Sequence, residues 1–355
     1  MHHSPYTLLM NAVDILVFVA GLTLVLVTLR SAIYTFILPR STRDVVTTTL
    51  FHLVRKPFAF LAKRASRYER TDEILALYGP VALLLLLPFW LLLLELGFMW
   101  MNWAVGVRDW QTAFTLSGSS LLTLGYSPVS SLPLTILSFV EATLGLILIA
   151  LLIAYLPVIY GAFTRREQEL IMLEVRAGSP PSALEMLVRA HRIGRLDALG
   201  ELWATYEKWF ADIEESHTSI AAVAIFRSAT PERHWLVASA TIMDAAALAA
   251  STLEIPRDSR ADLCIRAGYM ALRRIAAYFD VEALPDPRFP RDPISVTRAE
   301  WEAVRAQLGA EGLPLKADGD QAWQDFAGWR VNYDAVLMRL AEIIVVPPRA
   351  LWGGE

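Results

Sequence analysis

Cysteine is almost missing from this chain of 355 residues: Cys264 stands alone, so no intrachain disulfide can form and nothing requires an oxidising compartment. Charge is scarce as well. With 19% charged against 55% hydrophobic residues and a mean hydropathy of +0.42, the chain is more apolar than a soluble protein, where about a quarter of residues are charged. Part of it belongs in lipid. No glycine-rich loop follows a predicted strand, which excludes a dinucleotide-binding domain. His191, His217 and His234 lack HExxH-like or Cys/His spacing, and Cys264 has no identifiable neighbouring base, so no enzyme chemistry and no cofactor are expected. Positive charge is short where nucleic acid would need it: beyond residue 164, 22 basic and 28 acidic residues leave a net charge of −6, which argues against a nucleic-acid partner. Met1 to Met10 carries no Lys or Arg, and no small-residue cleavage signature follows the apolar run, so the first apolar segment is expected to stay as a membrane helix rather than leave as a signal peptide.

What is abundant is long apolar sequence. A membrane-spanning helix needs about 20 mostly apolar residues, and the stretches 12–38, 74–104 and 133–162 meet that length. A shorter, Ser/Thr-rich segment from Trp110 to Tyr126 has length only to dip into the membrane and return. The connector 39–73 holds Arg40, Arg43, Arg55, Lys56, Lys63, Arg64, Arg67 and Arg70, whereas the connector with the re-entrant segment has only Arg108. The bias of cations toward the cytoplasm then puts the N-terminus outside, the re-entrant loop on the outer side, and everything from Arg165 in the cytoplasm. Phe51, Leu53, Val54, Phe58, Phe60 and Leu61 alternate with the basic residues of the connector, as in an amphipathic helix at headgroup level.

Between the short segment and the third span stands Thr123-Leu124-Gly125-Tyr126-Ser127. Four copies of such an extended strand can stack rings of carbonyls around one axis and replace the water shell of a cation; Gly125 permits the dihedrals this requires, Tyr126 can brace the strand sideways, and Asp109 is placed to cap a pore helix 109–122 whose negative end would face the ion. At this point residues 74–164 resemble the pore-loop potassium channel family: outer helix 74–104, pore helix, filter 123–127 and inner helix 133–162. The resemblance implies a homotetramer in a prokaryotic plasma membrane that conducts monovalent cations, held by the carbonyls of Thr123, Leu124, Gly125 and Tyr126. The chain departs from the pattern where the family's fifth filter residue, Gly, is Ser127, at an expected cost of about 1–3 kcal/mol in backbone strain, and where its following Asp is Pro128.

Two carboxylates fall in the apolar spans. Glu95 is expected at the outer headgroups, about 30 Å along its helix. Glu141, two turns into the inner helix, is expected to hydrogen-bond behind the filter to Ser117, Ser119, Ser120 or backbone amides, with proton sensing as the other reading. Gly145 is placed as either a hinge or a site of close helix packing, and Pro157 as a kink that helps form a gate with Ala154, Tyr155 and Val158. From Arg165 the apolar spacing is helical, predicting an all-α domain over 165–355 with helices near 233–253, 259–279, 297–308 and 321–345. Its Trp203, Trp209, Trp235, Trp301, Trp323 and Trp329 are read as helix packing, and its input as an unknown ligand, an unknown protein, or none. A non-conducting receptor or scaffold that keeps the pore-loop fold is the competing function.

Overall fold

The computed structural model describes residues 11–36, 44–65, 67–129 and 131–352; the readings of Met1 to Met10, Arg40 and Arg43 fall outside them. Among the described residues every regular element is helical, with one isolated antiparallel bridge between Leu253 and Leu315. In chain order the helices are α1 (Ala12–Phe36), α2 (Val45–Arg64), α3 (Tyr68–Ala76), α4 (Tyr78–Ala104), α5 (Trp110–Leu121), α6 (Leu132–Ala177), α7 (Ala183–Arg192), α8 (Leu199–Ser219), α9 (Ala221–Ile225), α10 (Trp235–Thr252), α11 (Ser259–Tyr278), α12 (Arg298–Ala310), α13 (Gly319–Arg330) and α14 (Asp334–Ile344). The contacts divide the chain into two compact units, one of residues up to Lys63 with Leu77–Ile159, the other of Arg64–Ala76 with Tyr160 onward.

Four stretches are helical, long and apolar enough to cross a membrane: Ala12–Phe36, Tyr68–Ala104, Leu132–Ala177 and Trp235–Thr252. They differ in what surrounds them. Of the most apolar window of α6 17% is buried, against 94% for α10, so α10 is covered by protein whereas α6 presents its side chains outward.

In the first unit α1 and α4 pack through glycine. A Cβ on Gly21 would lie 2.5 Å from the Gly97 carbonyl oxygen, and one on Gly97 would lie 3.0 Å from that of Gly21, so two small residues let the backbones approach closely, as small residues do between membrane helices. At one end of the pair Arg108, just before α5, donates Nη2 to Asp14 of α1 at 2.8 Å while its guanidinium covers the Trp103 ring. That ring stacks on Trp110 with centroids 5.2 Å apart. Toward the other end Trp90 Nε1 donates to Ser31 Oγ at 3.0 Å, and Ser31 in turn donates to Asp44, which caps α2 through the Thr47 amide at 2.8 Å. The two helices therefore run antiparallel, with the α4–α5 loop and the start of α1 at one end and α2 at the other.

The second unit is built around α10, whose residues are buried along nearly the whole length and which packs with α7, α8, α11, α13 and α14. All five of Trp203, Trp209, Trp235, Trp301 and Trp323 are in its core and Trp329 packs against it. The helix expected over 321–345 is two helices, α13 and α14, separated at Val331–Tyr333. No glycine or proline marks the break; Tyr333 turns its hydroxyl to Asp244 Oδ1 at 2.6 Å, and buried Arg330 bridges Asp244 of α10 and Asp334 of α14. Asn332 closes α13 by donating Nδ2 to the Gly328 carbonyl at 3.0 Å. The span expected to begin at 74 is likewise divided, since α3 ends at Ala76 and α4 starts at Tyr78.

Candidate functional site: the Ser119 loop

Asp109 caps α5, accepting from the Thr112 amide at 2.8 Å and the Thr112 hydroxyl at 2.6 Å. At the other end the chain leaves the helix as Thr123 to Ser127, and the backbone changes hand: Thr123 has φ 55° and Gly125 φ 68°, while Leu122 before them has φ −88°. Alternation of right- and left-handed residues turns successive amide N–H groups to one side. Here that side is Ser119. Its carbonyl accepts from Leu124 N at 2.8 Å and Gly125 N at 3.3 Å, and its hydroxyl accepts from Tyr126 N at 3.1 Å and Ser127 N at 3.2 Å.

Four consecutive amides thus converge on one buried residue, 2% exposed. The carbonyls of 123–127 accept no hydrogen bond among the described residues, and the strand that carries them is exposed, Leu124 at 61% and Tyr126 at 62%. The ring of Tyr126, expected to brace the strand, has no aromatic partner among the described residues. Strain expected at Ser127 lies elsewhere: Ser127 is not among the positive-φ residues, and Thr123 is the side-chain-bearing residue held there.

Glu141 is fully buried and accepts from Ser117 Oγ, one of the partners expected for it; its second oxygen, Oε2, has none among the described residues. The Ser117 hydroxyl also lies 3.0 Å from the Glu95 carbonyl oxygen. Glu95 turns its carboxylate to α5, where Oε1 would be 2.9 Å from a Cβ on Gly118, so the two acids flank neighbouring residues of α5. The Ser120 hydroxyl is turned away, donating back to the Leu116 carbonyl at 2.9 Å, while the Ser120 carbonyl accepts from Thr123 N at 3.0 Å.

For Gly145 the structure supplies a packing reason: a Cβ there would stand 2.5 Å from the Leu121 carbonyl at the end of α5. α6 continues through Pro157 without interruption. Of the residues expected at a gate, Ala154, Pro157 and Val158 are exposed, whereas Tyr155 packs edge-on against Phe36 of α1 with centroids 4.8 Å apart.

In the second unit His217 and His234 are buried, and burial drives both well below the ordinary histidine range, with nearby Arg166 acting on each. His234 accepts the Leu236 amide at 3.1 Å and caps α10. Burial pushes the Cys264 thiol up, out of the reactive range. Among the described residues no group of His, Cys, Asp and Glu is arranged to hold a metal ion. Sequence reading missed the long-range partners, Asp14 with Arg108 and Asp72 with Arg227; separations of 94 and 155 residues leave no local pattern to find.

No protein-family model, curated protein or solved structure matches this chain.

Proposed function

We propose that the chain is a subunit of a homotetrameric, potassium-channel-like cation channel in a plasma membrane, with its N-terminus outside and its C-terminal unit in the cytoplasm. One observation carries the reading: the amides of Leu124 to Ser127 are all spent on Ser119, which turns the carbonyl edge of an exposed strand away from its own subunit. Four such edges on one axis make the oxygen rings that a dehydrated monovalent cation needs. The capped helix α5 adds the negative end of its dipole at the same place, and Glu141 with Ser117 holds α5 against α6. The exposed Ala154, Pro157 and Val158 remain the gate residues of this reading, and the helical C-terminal unit carries the gating input to α6.

The second reading, a non-conducting receptor or scaffold, is favoured by Ser127 and Pro128, which replace the Gly and Asp of the family pattern. Planar-bilayer recording of the purified chain in potassium and in sodium separates the two. The channel reading expects current carried by potassium in preference to sodium and its loss on Gly125→Val, a side chain disfavoured at φ 68°. Silence of the protein in both salts, with intact particles, would favour the scaffold.

A further inference from the structure

α2 has two faces that no membrane span needs. Its inner face is fixed: Leu50 and Val54 are buried in the same apolar cluster as Trp90 and Leu94 of α4, Phe51 accepts the Tyr78 hydroxyl at 3.1 Å through its carbonyl, and Phe58 lies on the Tyr78 ring with centroids 5.9 Å apart. Tyr78 is the first residue of α4, and Asp44 at the start of α2 is bound to Ser31 near the end of α1. α2 is therefore seated on the ends of two apolar helices, at the end opposite the Asp14–Arg108 pair.

The outer face carries large apolar side chains, with Leu53 58% and Phe60 55% exposed. Lys56 and Lys63 are exposed beside them. At 100° per residue the two lysines fall within about 20° of one another and about 10 Å apart along the axis, while Leu53 and Phe60, about 20° from each other, occupy the adjoining sector of the same surface. A water-exposed helix gains nothing from large exposed apolar side chains, and a protein interface disfavours lysine. Apolar side chains next to long cationic stems that reach up to a charged layer are the pattern of a helix lying in the headgroup region.

We infer that α2 is a binding surface for anionic phospholipid, with Lys56 and Lys63 on the phosphate groups and Leu53 and Phe60 among the acyl chains. The inference rests on the membrane placement of α1 and α4 and not on ion conduction. The full chain in detergent, titrated with phosphatidylglycerol or phosphatidylcholine and read by native mass spectrometry, tests it. The wild type binds phosphatidylglycerol more tightly; the double variant Lys56→Gln/Lys63→Gln loses about 30-fold of that affinity, taking about 1 kcal/mol per cation near an anionic surface, and Lys56→Arg/Lys63→Arg keeps it. Phosphatidylcholine binding stays level throughout, and millimolar inorganic phosphate does not compete. Equal binding of the two lipids by the wild type, unchanged phosphatidylglycerol binding by the Gln variant, or displacement by free phosphate overturns the assignment. A chain that never conducted would leave these results intact, and a conducting chain that failed them would leave the pore reading intact.

Discussion

Ser119 and Ser120 are adjacent, alike in chemistry and different in consequence. The hydroxyl of Ser119 receives two amides of the loop, that of Ser120 only its own helix. A net worth of about 0.5–1.5 kcal/mol per hydrogen bond makes Ser119→Ala a loss of about 1–3 kcal/mol in the support of the strand. Under the channel reading, potassium-over-sodium selectivity from reversal potentials falls roughly tenfold in Ser119→Ala and stays near wild type in Ser120→Ala. Equal effects of the two variants would remove Ser119 from its role.

His234 gives a second prediction at this scale. Its folded-state pKa is depressed by burial first and by Arg227 and Arg166 second, so the unfolded chain takes up a proton near the ordinary value of 6.5 where the folded chain does not. The associated stability is fully present above that value and is lost as pH falls below it, at up to about 1.4 kcal/mol per pH unit for each such histidine. Thermal unfolding between about pH 6.5 and pH 5 should therefore show a falling midpoint, shallower in His234→Asn, which keeps a capping side chain without a titrating ring. An identical slope in the variant contradicts the assignment.

At the scale of the element, α3 is a short helix, 9 residues, that could not persist alone. What holds it is Arg227, which donates to Asp72 and to the Val345 carbonyl at 3.1 Å as α14 ends with Val345 at φ 57°. Both side chains of the pair are buried, 5% and 7% exposed, and breaking such a pair costs about 3–5 kcal/mol. In Arg227→Gln, amide hydrogen exchange over Tyr68–Ala76 should rise by a factor of about a hundred or more while α10 stays protected. Unchanged protection of α3 would show that something else anchors it.

Elements were legible where a local rule fixes them. Asp109 begins α5, the apolar lengths give α1, α4 and the first part of α6, and the helical spacing of 233–253 and 259–279 gives α10 and α11 nearly to the residue. The break at Val331–Tyr333 was not legible, because long-range partners make it: Arg330 and Tyr333 reach Asp244, 86 and 89 residues away. The candidate site divides the same way. The loop and Glu141 could be picked from sequence as residues that do not belong in a plain membrane helix, but the choice of Ser119 over Ser120, the turning of Glu95 to Gly118 and the positive φ at Thr123 depend on how α5 ends.

At the scale of the whole molecule the proposed channel needs four copies of the chain. One subunit supplies one exposed carbonyl edge, and an ion that gives up its water requires oxygens on all sides; closed symmetry about a four-fold axis provides them with one gene product. The outward-facing side chains of α6 leave apolar surface that the proposed tetramer would set against lipid and neighbouring subunits. Electron-microscopic class averages of the purified particle viewed along the membrane normal test this most directly. Four-fold views, with about twelve membrane helices around a central axis lined by residues 123–127, are the predicted result; monomers, two-, three- or five-fold rings, or a four-fold particle whose 123–127 strands point away from the axis would contradict it.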